Sequence, residues 1–214
     1  MILLVCTAVE AEAEAIRAGA FRSAGAGSPR IAAVGVGPAA AAAGTARLLA
    51  LAEVAGRPFQ AVIGAGIAGG FPGRAEIGAT VLATRTIAAD LGAETPDGFL
   101  PIERLGFGTS VHESDADLFK RLTAALPDAL AGDILTLATV TGTAATAAEL
   151  ARRHPAALAE AMEGYGVATA ARAAGLPFLE LRTISNLIGP RDRSSWRLPD
   201  ALAALTAVGA ALAD

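Results

Sequence analysis

Cysteine is almost missing from this sequence: 214 residues hold one, Cys6. A lone cysteine cannot form an internal disulfide, and with His112 and His154 as the only histidines there is no cluster to hold a metal, so neither redox nor zinc chemistry is expected, nor any metal or organic cofactor. Positive charge is not in excess either. Seventeen Lys and Arg face 21 Asp and Glu, for a net charge of −4, which offers no basic surface for nucleic acid beyond a local patch at Arg191, Arg193 and Arg197. A small molecule is the expected partner. Long apolar runs are also lacking. The hydrophobic fraction is 53% and the mean hydropathy +0.50, but Ala and Gly supply much of both, and no uninterrupted run reaches the roughly 18 residues of a membrane span. The longest candidates, residues 31–46 and 201–213, carry Gly37, Pro38 or Gly209 and read as packed elements. The start, Met1-Ile-Leu-Leu-Val-Cys6, has no basic flank or cleavage site and runs straight into Glu10, Glu12 and Glu14. A secretion signal is not expected there, and a cytoplasmic setting is. No Ser/Pro-rich or charged linker divides the chain, so one domain over 1–214 is expected.

What is present is alternation. Short runs of Val, Ile and Leu alternate with longer Ala-rich stretches, the pattern of an α/β fold with a twisted mixed sheet flanked by helices. Strands are expected at about 2–7, 31–36, 60–66, 78–89, 133–140 and 177–184. Helices are expected at about 9–18, 39–55, 114–125, 144–152, 156–174 and 199–213, with stops at Gly56, Gly175 and Pro177. Residues 91–110 and 187–198 read as loops, and no internal repeat is present.

Gly64-Ala-Gly66-Ile-Ala-Gly69 follows an apolar strand, with Asp90 about twenty residues on, and so mimics a dinucleotide-binding fingerprint. That fingerprint needs its third glycine to open a helix, whereas Gly70-Phe-Pro-Gly73 and a strand-like stretch follow here. The expectation is a glycine turn between two strands that brings bare backbone amides to a sugar or phosphate, or a tight turn with no ligand at all.

Three segments carry chemistry. The first, Thr7-Ala-Val-Glu10-Ala-Glu12, puts carboxylates on the opening turn of a helix. The second is Ile67-Ala68-Gly69-Gly70, and the third is Ala161-Met162-Glu163-Gly164-Tyr165-Gly166, joined through Arg182 to Thr183-Ile-Ser185-Asn186. In this order and spacing they resemble the nucleoside phosphorylase and nucleosidase superfamily, in particular its methylthioadenosine/S-adenosylhomocysteine nucleosidases and futalosine hydrolases. The resemblance covers nearly the whole chain. Its most specific part is the pairing of Met162-Glu163 with Ser185-Asn186.

The resemblance implies an N-glycosyl hydrolase, with futalosine cut to hypoxanthine and dehypoxanthine futalosine in menaquinone biosynthesis. Glu12 matches the carboxylate that activates water, and Glu163 the one that grips the ribose hydroxyls. Both roles suit a sugar of oxocarbenium character, which needs a base for water and negative charge nearby. Met162, Ala68, Gly69 and Ser185 match substrate-binding positions. Glu10 and Glu14 are expected at the surface, and base rates alone would allow Glu12 or Glu163 to be solvated charges too. Asn186 departs from the aspartic acid of adenine-releasing nucleosidases. An amide cannot transfer a proton to N7 but can donate an N–H to N7 or to a 6-oxo group, which points to a 6-oxopurine. Arg191, in Gly189-Pro-Arg191-Asp-Arg193, is expected to capture a carboxylate on the substrate's 5′ arm. Ala161 stands where relatives carry a further glutamate, and Thr141-Gly-Thr143 replaces a Ser-Gly-Asp turn. Glu10 and Glu12 at the first turn and Gly78-Ala-Thr80 after the glycines disfavour phosphate as nucleophile, with the face of Arg85 left open. The resemblance also implies a homo-oligomer, with Leu105-Gly-Phe107-Gly as a contact. Two alternatives stand beside this reading: a nucleosidase for methylthioadenosine, S-adenosylhomocysteine or inosine, and a non-catalytic nucleoside-binding or storage protein.

Overall fold

A computed structural model describes residues 2–21 and 29–213. β1 (Leu3–Thr7) leads into α1 (Glu10–Ala20), β2 (Arg30–Ala33) into α2 (Pro38–Val54), and then β3 (Ala61–Gly70) is followed directly by β4 (Thr80–Ala88). A small hairpin, β5 (Gly92–Thr95) and β6 (Gly98–Pro101), precedes β7 (Val111–Glu113), α3 (Ala116–Ala125) and β8 (Leu130–Thr136). The chain continues through α4 (Ala144–Arg153), β9 (Ala157–Ala161), α5 (Gly164–Ala173), β10 (Phe178–Leu187) and α6 (Leu198–Ala213). The α/β class and the mixed sheet expected from the sequence are what the structure has.

The main sheet runs β10-β4-β8-β9-β3-β1-β2, and β10 also pairs with β3, so five strands close on themselves while β1 and β2 extend the sheet outward. β3 is the strand both halves share. Its first half pairs with β1 up to Gly64, its last two residues pair with β9, and β10 runs beside it from Val62 to Gly70. Between Gly64 and Gly69, therefore, one edge of β3 is released by β1 and not yet taken up by β9.

Apolar side chains cover both faces. Leu3, Val5, Ile63 and Leu181 meet Ile16, Leu205 and Val208 on the α1/α6 side, while Leu4, Val62 and Phe178 meet Leu49, Val167 and Ala171 on the α2/α5 side. Each fully buried Leu or Ile contributes roughly 1.5–3 kcal/mol. The Ala- and Gly-rich composition makes the helices thin enough to pack at backbone distance. A Cβ on Gly209 would lie 2.0 Å from the Ile16 carbonyl, and one on Gly19 would lie 1.9 Å from the Thr206 carbonyl, so α1 and α6 cross only because both positions are glycine.

Four expectations are corrected. The helix expected over 156–174 is two elements, β9 and α5, broken at Met162-Glu163. Ala-Leu-Ala-Glu-Ala has no strong strand former apart from its position, and only its pairing with β8 and β3 makes it a strand. The glycines at 64–70 lie inside β3 rather than in a turn, and the reversal falls at Phe71–Ala79. The loop expected over 91–110 contains the β5/β6 hairpin, and β7 was not foreseen ahead of α3. Among the described residues no helix is long and apolar enough to cross a membrane.

Candidate active site

The site forms at the released edge of β3. With no strand to receive it, the Ile67 N–H donates at 2.9 Å to Glu12 Oε1. Glu12 reaches that edge because β1 ends at Thr7 and α1 starts three residues later. As the third residue of the helix it turns back and takes the Ala8 and Val9 N–H groups on Oε2, at 2.9 and 3.2 Å. Three backbone donors and the positive end of a helix dipole thus hold one buried carboxylate in place. Glu10 and Glu14, on the same turn, face solvent, and Glu10 pairs with Arg17.

Gly66 leaves the room this arrangement needs. A Cβ there would stand 2.7 Å from Glu12 Oε1 and 2.8 Å from Arg182 Nη1. Arg182 is 2% exposed on β10, and its guanidinium joins several acids. Nε donates to Glu180 Oε1 at 2.9 Å and Nη1 to Glu163 Oε2 at 3.2 Å. Glu163 Oε1 accepts the Gly37 N–H at 3.2 Å, and Glu180 Oε2 accepts the Thr86 hydroxyl at 2.7 Å. Burial alone would lower the Arg182 pKa, but Glu180, Glu163 and Glu12 outweigh it and hold the guanidinium above its usual value. Burial also raises the Glu180 acid, with Arg182 and Thr86 opposing. Three carboxyl groups around one guanidinium leave this centre short of positive charge.

Glu163 is buried at the cap position ahead of α5, not within a helix, because Met162-Glu163 is the break between β9 and α5. Met162 is half-buried beside it. Beyond the centre, Gly69 floors a small cleft lined by Asn186, Glu160, Thr141, Arg191 and Trp196 among others. Asn186 Oδ1 takes the Ser185 hydroxyl at 2.9 Å and its Nδ2 donates to the Leu187 carbonyl at 3.0 Å. Ser185 Oγ also lies 3.3 Å from the carbonyl of Ala68, which is buried.

The structure therefore gathers Glu12 and Glu163 around Arg182, and Gly69, Asn186 and Arg191 around the cleft, with buried Ser185 linking Asn186 to the Ala68 carbonyl behind its lining. Arg191 is exposed and stands 5.7 Å from the Trp196 ring centroid, as does Arg193. Arg197 is turned to Asp200. Arg85 is gripped through Nε and Nη2 by Asp133, which settles its face. Thr143 caps α4 by accepting the Thr146 N–H.

Arg182, Glu180 and Glu160 escaped the sequence reading as site members. Glu180-Leu-Arg182 alternates charge and apolar residue inside a strand with apolar flanks, and that pattern of charges on one face of a central strand could have revealed two of them. Glu160 gave no signal while its segment was read as a helix.

Comparison with known proteins follows the same lines. The family model described as "Phosphorylase superfamily" matches residues 7–214. A futalosine hydrolase of Streptomyces coelicolor is 53% identical over 98% of this chain and 94% of its own. Among solved structures, a 5′-methylthioadenosine/S-adenosylhomocysteine nucleosidase of Neisseria meningitidis, in complex with methylthio-immucillin-A, superposes with a TM-score of 0.81 at 23% identity over 99% and 98% of the two chains. A futalosine hydrolase of Helicobacter pylori gives 0.80 at 17% identity over 99% and 97%.

Proposed function

The chain belongs to the phosphorylase superfamily, and from that premise we propose that it is a futalosine hydrolase, releasing hypoxanthine and dehypoxanthine futalosine in menaquinone biosynthesis. The observation that carries the reading is the convergence at one gap in the sheet. Glu12, held by three backbone N–H groups, and Glu163, held by Gly37 and Arg182, lie against the same guanidinium, with Asn186 over the neighbouring cleft.

In this scheme Glu12 draws a proton from water as the water oxygen bonds to C1′. The C1′–N9 bond breaks and its electron pair leaves with the base, so the proton taken by Glu12 balances the one the base acquires. Positive charge on the sugar meets a centre with three carboxyl groups and one guanidinium, which stabilises it more than the neutral ground state. Glu163 keeps lone pairs for the ribose hydroxyls, which satisfy an otherwise costly buried anion. Asn186 offers the N–H not used by Leu187 to N7 or O6 of the base, while Met162, Ala68, Gly69 and Ser185 shape the pocket. Arg191, at the exposed mouth beside Trp196, suits a carboxylate on the 5′ arm. Water rather than phosphate is the nucleophile, because carboxylates occupy the first turn and Asp133 already compensates Arg85.

The whole chain acts as one catalytic domain in this reading. A homo-oligomer is part of the same proposal and is supported by Phe107, an aromatic side chain 73% exposed on its loop. A cytoplasmic setting is supported by a buried free thiol at Cys6 with no second cysteine for it to pair with in a disulfide. The test is chromatography of products after incubating purified protein with futalosine in phosphate-free buffer. Free hypoxanthine is expected. Cleavage that requires phosphate, release of base from adenine nucleosides alone, or tight binding without cleavage over hours would each overturn the assignment.

A further inference from the structure

The cleft over Gly69 holds one buried acid for which the hydrolytic scheme has no task. Glu160 is 4% exposed and lines that cleft. In the register of the sheet, Gly69 pairs with Glu160 of β9 on one side and with Asn186 of β10 on the other. Residues facing each other across paired strands point to the same side, so the carboxylate and the amide stand on one face with a bare Cα between them. Their own Cα atoms are two strand spacings apart, about 10 Å. That is a slot for a flat heterocycle read from both ends.

Both ends are held. The Thr141 N–H donates to Glu160 Oε1 at 2.6 Å and the Thr141 hydroxyl donates to Oε2, which fixes the carboxylate and leaves it further lone pairs. Burial raises the Glu160 acid, with the two Thr141 bonds opposing and the charge of Asp90 adding to the rise. Asn186 has its oxygen tied to Ser185, which leaves an N–H as what it offers.

We infer that Glu160 is a second base-specificity residue, accepting the N1–H of a 6-oxopurine whose N7/O6 side meets Asn186. The inference rests on the purine nucleosidase reading and deepens it. A 6-oxopurine presents acceptors at N7 and O6 and a donor at N1, which a donor at Asn186 and an acceptor at Glu160 match. A 6-aminopurine presents a lone pair at N1, directly against the carboxylate. A freely turned asparagine could take adenine N6 and N7 together, but Ser185 holds the Asn186 oxygen and leaves an N–H toward the base. The buried carboxylate makes the slot one-sided, and a polar mismatch in a desolvated site is heavily penalised.

The test is calorimetric binding of free bases to the full chain. Wild-type protein is expected to bind hypoxanthine at least tenfold more tightly than 1-methylhypoxanthine, which lacks the N1–H, and at least tenfold more tightly than adenine. Glu160→Gln should bind hypoxanthine at least tenfold more weakly with adenine unchanged or improved, and should narrow the ratio of kcat/KM between futalosine and its 6-amino analogue by the same factor. Equal binding of hypoxanthine and 1-methylhypoxanthine by wild type overturns the inference with no variant involved, and so does a folded Glu160→Gln protein that keeps the full preference. Release of hypoxanthine from futalosine is a separate readout: its failure removes the hydrolase assignment, while the base-binding comparison stands or falls by itself.

Discussion

Replacing Glu12 by Gln keeps the side-chain shape and removes the basicity, and the structure says what each atom would then meet. Oε2 receives two backbone N–H groups and Oε1 receives one, so the amide will keep its oxygen at Ala8 and Val9 and turn its NH2 toward the Ile67 N–H. One hydrogen bond is lost and two donors face each other, a cost of roughly 1–3 kcal/mol. For a domain of this size that corresponds to about 2–12 °C in Tm. The chemical effect is larger. Loss of a general base slows proton transfer by about 10²–10⁴-fold, or roughly 3–5 kcal/mol at 1.36 kcal/mol per tenfold. The assay is initial-rate hypoxanthine release over a range of futalosine concentrations in phosphate-free buffer, with the melting curve recorded on the same preparation. The expected result is kcat reduced at least a hundredfold with KM within a few-fold of wild type. A variant that retains kcat within threefold and loses only KM would refute the role, because it would show Glu12 binding substrate equally in ground and transition states.

Three further outcomes follow from the geometry. Gly66→Ala places a methyl group against Glu12 and Arg182 and should cost about 1–3 kcal/mol through overpacking and lower kcat at least tenfold; full activity in the same assay would show that the acid and the guanidinium have slack. Arg182→Met leaves Glu180 and Glu163 buried without their cation and should cost about 3–5 kcal/mol in urea unfolding, against a null expectation of no change for a neutral swap. His112 is held below its usual value of 6.5 by burial and then by Arg172. The unfolded chain takes up a proton near that pH and the native ring resists it, so the stability from this residue is complete above about pH 6.5 and is lost as pH falls through the folded value. Tm measured from pH 7 to 5 should decline, and His112→Asn should flatten part of that slope; an identical slope would discount the residue.

Much of this architecture was readable from residues in order. Val, Ile and Leu runs located β1, β3, β4 and β10 because strands buried on both faces leave little room for polar residues. Met162-Glu163 and Ser185-Asn186 pointed to the site through their resemblance to the nucleosidase superfamily, not through any local preference. What failed had a shared cause. β9 is Ala-Leu-Ala-Glu-Ala, whose local preference is helical, and only neighbours contributed by residues 130–136 and 61–70 make it extended. With that strand invisible, Glu163 was assigned to a helix and Glu160 had no known direction. The Gly64–Gly70 run misled in the opposite sense, because glycine marks turns and close approaches alike, and here Gly66 is the second kind. Arg182 and Glu180 are legible in the sequence only as an oddity, two charges within an apolar strand, since their partners come from positions as remote as 86 and 163.

One irregularity in the pairing of β10 with β3 has an evolutionary reading. Ile184 faces Ala68 and Asn186 faces Gly69, so Ser185 is an extra residue that the opposite strand does not match. Arg182 lies before that offset and Asn186 after it, which on the proposed reading separates the ribose end of the strand from the base end. Deleting Ser185 would restore regular pairing with Asn186 still opposite Gly69 and the guanidinium unmoved, but would remove the hydroxyl that holds the amide oxygen. A lineage can therefore retune which nucleobase it accepts by changes beyond the offset without disturbing the half that handles the sugar.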